Sequence, residues 1–212
     1  MQETYFTDLL RKPVWMFFLF SWLFYLTGLF LFSQFVWDSN TYMLDFRGTH
    51  FNEYISNIRK MDHIRYALSP LWILGIATVI WLVIKSGLVF LRIDFSKALL
   101  FKIILLGLFF ISLSFWVRSI WLILFRGSYV PDDIKYFYPG SIVPFLDISE
   151  MMEIMISTLA NINIYHIGFM LFTSWQISVH SSLNYFRSFM LLLFTYGISV
   201  VLLRFIILVI IL

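Results

Sequence analysis

Residues 13–36 read PVWMFFLFSWLFYLTGLFLFSQFV, 24 consecutive positions without a charged side chain. A helix needs about 20 predominantly apolar residues to cross a hydrocarbon core roughly 30 Å thick. Further apolar runs follow at about 69–91, 98–125, 163–180 and 188–212. The sequence therefore predicts an all-α protein, a polytopic transmembrane helical bundle of about five spans with short interfacial amphipathic helices.

The composition supports a single membrane domain over residues 1–212. The chain has 212 residues, of which 61% are hydrophobic and 13% charged, and its mean hydropathy is +0.88. Soluble domains carry about 25% charged residues, so little of this chain can face water. No hydrophilic block is long enough to form a second domain. The 15 basic residues are spread along the chain and do not form the clustered patch that a nucleic-acid-binding surface needs.

The first apolar run differs from a secretory signal peptide. A signal peptide has an apolar region of about 7–15 residues that ends at a small-residue cleavage site. This run is longer and ends in Phe-Val-Trp-Asp at 35–38. We expect it to be retained as the first span.

Three segments have the pattern of amphipathic helices at the membrane surface. Residues 1–12 place apolar side chains on one helical face and end at a proline, and residues 51–66 carry apolar side chains at helical spacing. Residues 149–159 combine a capping Ser-Glu pair with several methionines. Anchoring on the membrane surface and docking of a partner are both consistent with this pattern in the 51–66 and 149–159 segments.

Local signals set the ends of the predicted spans. The Ser69-Pro70 pair predicts the start of the second span, and Asp94 or Ser96 is a suitable N-cap for the third. The six residues 92–97 between these spans predict a tight helical hairpin. Asn163, with a second asparagine two positions earlier, interrupts the chain before the fourth span.

Basic residues predict the orientation. The two short turns carry Arg92, Lys97 and Arg187, and the N-terminal segment adds two more basic residues. The two long loops carry a similar number of basic residues but also nine acidic ones. Basic residues alone are nearly tied between the two sides, and acidic residues have only a small effect on orientation. The excess of acidic residues in the long loops therefore favours, by a small margin, a cytoplasmic N-terminus with the C-terminus on the opposite side.

The layout resembles that of the Yip family of five-span integral membrane proteins. The shared features are an amphipathic entry ending in proline, a long first loop, a tight charged turn and a proline-containing second loop. The resemblance is sharpest in LANINIYH at 159–166, which is similar to the family's Leu–Asn–aromatic–Ile–Trp entry into the fourth span. His166 stands at the Trp position, and Ser174 at a position where Gly is common. The resemblance implies a five-span bundle without a transferable activity, since eukaryotic relatives act in vesicle trafficking and prokaryotic members have no settled role.

Four basic side chains fall inside predicted spans. Such a charge costs about 2.5–3.5 kcal/mol at the bilayer centre on insertion scales and is a functional hypothesis by default. All four lie toward span ends, so snorkelling or structural pairing competes with a transport or ligand role. The candidate intramembrane charges are Lys85, Lys102, Arg118 and Arg204.

The fourth span carries the most polar face of any predicted span. Buried amides and hydroxyls in lipid can fix helix packing, and a histidine can carry protons. This face is therefore the best place for a ligand or conduction path, although helix capping and packing explain the same residues. The candidate intramembrane polar face is Asn161, Asn163, His166, Thr173 and Gln176.

No sequence motif predicts catalysis or a bound metal or cofactor. The four histidines lack metal-ligand spacing, cysteine is absent, and no P-loop, GxSxG, HExxH or dinucleotide motif is present. We expect a non-enzymatic integral membrane protein that acts as a scaffold or accessory subunit of a membrane complex. Its partners would be the lipid bilayer and other membrane proteins or further copies of itself, and not nucleic acid. The alternative is a small transporter or channel whose path is lined by the fourth span.

Overall fold

The computed structural model describes residues 10–36, 51–124, 138–146 and 153–202. These residues form helices and turns without a β-strand, which confirms the all-α prediction. In chain order the α-helices are α1 (Val14–Leu31), α2 (Phe51–Phe90), α3 (Lys97–Leu124), α4 (Glu153–Leu159), α5 (Ile164–His180) and α6 (Tyr185–Leu192). A π-helical turn follows α1 at Phe32–Val36, and another follows α6 at Leu193–Gly197. A short 3₁₀ helix lies at Val143–Phe145.

Four helices of the described residues are long and apolar enough to cross a membrane. They are Val14–Gln34, Lys60–Phe90, Lys97–Leu124 and Tyr185–Leu202, and they coincide with predicted spans 1, 2, 3 and 5. The chain is thus a multi-pass integral membrane protein. Helix α5 matches the predicted fourth span in position, but its 17 residues reach only about 26 Å at 1.5 Å per residue. The count of five spans stays a prediction.

Helix α3 lies at the centre of the bundle and packs against α1, α2 and α5. Its inner face is fully buried at Leu100, Ile103 and Ile104, each 0% exposed. The approach of α5 is so close that a Cβ on Gly107 would lie 2.7 Å from the ring of Phe169. Small residues allow transmembrane helices to gain van der Waals contact in this way, because lipid supplies no hydrophobic driving force between them.

Helix α2 continues through Pro70 for 40 residues, so the Ser69-Pro70 pair, which is predicted to mark the start of the second span, does not begin a separate helix. Proline lacks the N–H that would bind the carbonyl group four residues earlier. Here the hydroxyl of Ser69 donates to that carbonyl oxygen, on Tyr66, at 2.7 Å. The indole of Trp22 in turn donates to Ser69 Oγ at 2.8 Å. The predicted amphipathic segment 51–66 is helical, but it is the first part of α2.

The turn between α2 and α3 is the predicted helical hairpin. Helix α2 ends with bonds from Arg92 N to Val89 O and from Ile93 N to Leu88 O, both 2.9 Å, which form a Schellman motif. Arg92 takes the left-handed position of that motif with φ 57°. Of the two predicted caps, Ser96 accepts from the N–H of Leu99 at 3.4 Å.

The second long loop folds against the start of α5. The N–H of Ile142 donates to Ile162 O at 3.2 Å, and the N–H of Ile164 donates to Gly140 O at 2.9 Å. Val143 packs with α4 and the following turn in a small apolar cluster. Of the predicted surface segment 149–159, the structure describes the part from residue 153. Most of the predicted 1–12 helix lies outside the described residues.

We call the end of the bundle formed by the turns 91–96 and 181–184 the turn end. The opposite end, where α1 and α3 lead toward the two long loops, is the loop end.

Candidate functional site

The start of α5 is fixed by the asparagine that the sequence singles out. The side-chain oxygen of Asn163 accepts from the N–H of Tyr165 at 3.1 Å and of His166 at 2.9 Å. Its amide nitrogen donates to Ala160 O at 2.9 Å. Asn163 is therefore an N-cap in extended conformation, as expected from residues that begin a helix. The side-chain amide nitrogen of Asn161 donates a long hydrogen bond to Thr158 O at 3.5 Å.

His166 joins α5 to the π-helical turn after α6. Its Nδ1 shares a 2.6 Å hydrogen bond with the hydroxyl of Tyr196, which is 2% exposed. The ring of Tyr196 also lies 4.6 Å from that of Phe169. Tyr196 is not predicted from the sequence, because a single tyrosine in an apolar run gives no signal. π-Helical turns, which redirect side chains, often occur at functional sites.

A polar cavity of about 250 Å³ lies at the loop end between α3, the 138–140 segment and the start of α5. Arg118 is the charged side chain among its described lining residues. The guanidinium carbon of Arg118 lies 4.9 Å from the ring centre of Phe32 and 5.7 Å from that of Tyr138. These are cation–π distances, so two aromatic rings hold the cation in place. The polar residues that complete the lining are Ser114, Asn161, Asn163, Tyr165 and His166.

Two apolar grooves adjoin this cavity. A groove of about 370 Å³ runs between α5 and the chain after α6, and it shares Asn161, Asn163 and His166 with the polar cavity. A second groove of about 380 Å³ between α2 and the chain after α6 also reaches His166 and Tyr196. The His166–Tyr196 pair therefore lies where a polar space meets apolar surface.

The predicted polar face divides into two parts. Asn161, Asn163 and His166 meet at the polar cavity, whereas Thr173 and Gln176 lie deeper in α5 and are 0% and 1% exposed. Thr173 Oγ1 and Gln176 Oε1 have no hydrogen-bond partner among the described residues, and the same is true of Ser174 Oγ. None of these three residues lines the cavities named above.

The candidate intramembrane charges that the structure describes lie at opposite ends of the bundle. Lys85 Nζ donates to Phe95 O at 3.2 Å, and Lys102 Nζ donates to Leu10 O at 2.9 Å. Both lysines therefore lie at the turn end and bond backbone carbonyl groups there. Of the three candidate charges that the structure describes, Arg118 alone lines the cavity at the loop end. Arg204 lies outside the described residues.

The described residues contain no group of three or more His, Asp or Glu side chains that could hold a metal ion. Comparison with protein-family models, curated proteins and solved structures finds no match to the chain.

Proposed function

We propose that this protein is a non-enzymatic scaffold or accessory subunit of a membrane complex, and that α2 binds the partner. Helix α2 is about 60 Å long at 1.5 Å per residue, twice the thickness of a hydrocarbon core. If residues 71–90 span that core, the 20 residues before them extend beyond it. The observation that supports the proposal is an uncovered apolar stripe on this extension.

The stripe consists of Met61, Ile64 and Leu68, which are 59%, 52% and 51% exposed. Positions i, i+3 and i+7 lie on one face of a helix. It continues toward the membrane through Leu71 and Trp72, 65% and 57% exposed. Apolar side chains at this spacing form the contact surface when two helices pair.

The opposite face of the extension is already occupied. Asp62, 7% exposed, accepts from the hydroxyl of Ser33 at 2.6 Å and pairs with Arg65 at 3.3 Å. The ring of Tyr66 lies 6.3 Å from that of Phe30. These contacts hold α2 against the end of α1 and leave the stripe facing away from the bundle. We infer that the partner is an apolar or amphipathic helix of another membrane protein.

The test is photo-cross-linking in native membranes from a benzophenone attached to an introduced cysteine, since the chain has no cysteine of its own. Cysteine at Ile64 or Leu68 should give one discrete cross-linked protein, which mass spectrometry identifies. Cysteine at His63, exposed on another face at the same depth, is the control. A homodimer band would assign the stripe to self-association. Absence of any cross-linked protein from both stripe positions, with a stable monomer after mild extraction, would contradict the scaffold proposal.

The second candidate is a small transporter or channel. It is supported by the buried polar atoms of Thr173, Ser174 and Gln176, which have no hydrogen-bond partner among the described residues. Such atoms cost several kcal/mol each unless water or a solute binds them. Flux into liposomes by the wild type, lost in Gln176→Leu but retained in Trp175→Leu, would favour this function. Trp175 is 46% exposed on the same helix. Equal rates for the protein and empty liposomes would exclude the solutes tested.

The cytoplasmic N-terminus and the Yip-like five-span layout are part of the same proposal. They place the turn end inside and the α2 extension outside. Cysteine at His63 should then react with an impermeant thiol reagent added to intact cells, whereas cysteine at Ser96 in the turn should react only after lysis. Both positions are exposed. Labelling of both from one side would overturn the layout.

A further inference from the structure

The polar cavity and the α5–α6 groove form one amphipathic space. They share the side chains of Asn161, Asn163 and His166, with a guanidinium on one side and aliphatic walls on the other. Their volumes, about 250 and 370 Å³, together fall within the roughly 300–1,000 Å³ of small-molecule sites. The space suits a ligand with an anionic head and an apolar tail.

Arg118 lies at the depth where lipid phosphates are found. It follows Lys97, the first residue of α3, by 21 positions. That is about 31 Å along a helix at 1.5 Å per residue, one hydrocarbon thickness from the turn end. The guanidinium is therefore at the level of the headgroups of the opposite leaflet.

The chemistry of the cavity suits a phosphate. Arginine presents a planar fork of N–H groups that binds two phosphate oxygens at once, and its charge is permanent. Stacking on Phe32 and Tyr138 restricts that fork before any ligand binds. The amide of Asn161 and the phenol of Tyr165 add polar groups to the wall.

The groove is open to the surface that meets lipid. Among its lining residues Ile167, Ile198 and Leu202 are 42%, 45% and 53% exposed. A free phosphate ion would use the polar cavity and leave this groove uncovered, whereas an acyl chain would fill it from the bilayer. We propose that the site binds a phospholipid of net negative charge, with its phosphate beside Arg118 and one acyl chain between α5 and the chain after α6.

The test is a native mass-spectrometric titration of the full-length protein in detergent micelles. The probes are dioleoyl phosphatidylglycerol, dioleoyl phosphatidylcholine and inorganic phosphate. We expect phosphatidylglycerol to bind tighter than phosphatidylcholine, and millimolar phosphate not to displace it. Arg118→Gln should raise the Kd for phosphatidylglycerol about tenfold, the effect of losing one charge-assisted pair.

Lys102→Gln is the matched control, because it removes an intramembrane cation at the turn end that bonds a backbone carbonyl. It should change the Kd less than twofold. Ile198→Trp keeps Arg118 and narrows the groove, so it should weaken lipid binding without changing the response to phosphate. If Arg118→Gln does not fold, Arg118→Lys replaces it, with an intermediate Kd expected because the charge remains and the fork is lost.

Three results would overturn the proposal. Equal affinity for the two lipids would show that the site does not select an anionic headgroup. Equal effects of Arg118→Gln and Lys102→Gln on the Kd for phosphatidylglycerol would show that the lipid does not bind at the polar cavity. Displacement of the lipid by phosphate, with Ile198→Trp unchanged, would show a free-anion site in place of a lipid site. The titration needs no protein partner, so its outcome is independent of the scaffold proposal.

Discussion

The two ends of the bundle differ in what surrounds their basic side chains. At the turn end, the short turns satisfy themselves: Ser96 and Asn184 cap helices, and Lys85 and Lys102 donate to backbone carbonyl oxygens. At the loop end, Arg118 stacks on aromatic rings and lines a cavity. The lysines at the turn end bond backbone carbonyl groups, whereas the guanidinium at the loop end lies in the wall of a cavity large enough for a ligand.

The largest effect is expected where α5 meets α3, since this contact positions α5 at the loop end. Gly107→Ala places a Cβ 2.7 Å from the buried ring of Phe169 and should destabilise the protein by about 2–3 kcal/mol. Unfolding in mixed micelles measures this. Gly75→Ala is the control, because nothing lies within 4 Å of that Cβ, and it should be neutral or slightly stabilising. Similar losses of stability at both positions would show that the close contact of Gly107 with Phe169 is not the cause.

The next prediction compares the N-caps at the two ends. Asn163→Ala removes two accepted hydrogen bonds and one donated bond at the loop end, and should cost about 2 kcal/mol. Asn184→Ala removes a single bond to Arg187 N at the exposed turn end, so about 0.5–1 kcal/mol is expected. Thermal unfolding in one detergent compares them directly. A larger loss at Asn184 would reverse the comparison between the two ends.

A smaller effect is expected from the pair at the edge of the lipid-facing groove. Tyr196→Phe removes the hydroxyl that bonds His166 and keeps the ring contact with Phe169, so it should cost about 1 kcal/mol. Tyr185→Phe, on an exposed side chain at the start of α6, controls for loss of a hydroxyl. Equal stability of the two variants would show that the 2.6 Å bond contributes little.

The smallest expected effect is a gain in stability at the turn end. Arg92 holds φ 57°, a left-handed conformation in which glycine avoids the Cβ clash of other residues. Arg92→Gly should raise stability by about 0.5 kcal/mol, measured as a shift in the unfolding midpoint. Arg92→Ala is the control: it removes the same charge and keeps the Cβ, so it should not stabilise. A gain in stability in both variants would show that loss of the charge, and not the freedom of glycine at this φ, is the cause.

Several elements were predictable because the physics behind them is local. A run of about 20 apolar residues must be helical in lipid to satisfy its backbone, and that rule alone locates α1, α3 and the membrane parts of α2 and α6. The asparagine at 163 predicts where α5 begins for a similar reason, since its side chain bonds N–H groups within three residues of itself. The hairpin at 92–97 follows from its short length and its capping residue.

Other features depend on residues far apart in sequence. Pro70 signals a helix start, but Ser69 satisfies the freed carbonyl and is itself bonded by Trp22, 47 residues earlier. His166 forms a hydrogen bond with Tyr196 because a π-helical turn points that tyrosine toward α5.

The sequence by itself determined that this chain is a membrane-embedded helical protein, because transfer of apolar helices into lipid depends on composition and length alone. It also identified Arg118 and His166 as candidates, because polar groups in lipid are costly wherever they fall. Only the tertiary structure decided that these two residues line one cavity while Lys85 and Lys102 bond backbone at the other end. That division arises from the packing of α1, α3 and α5, which brings together side chains that neither composition nor spacing relates.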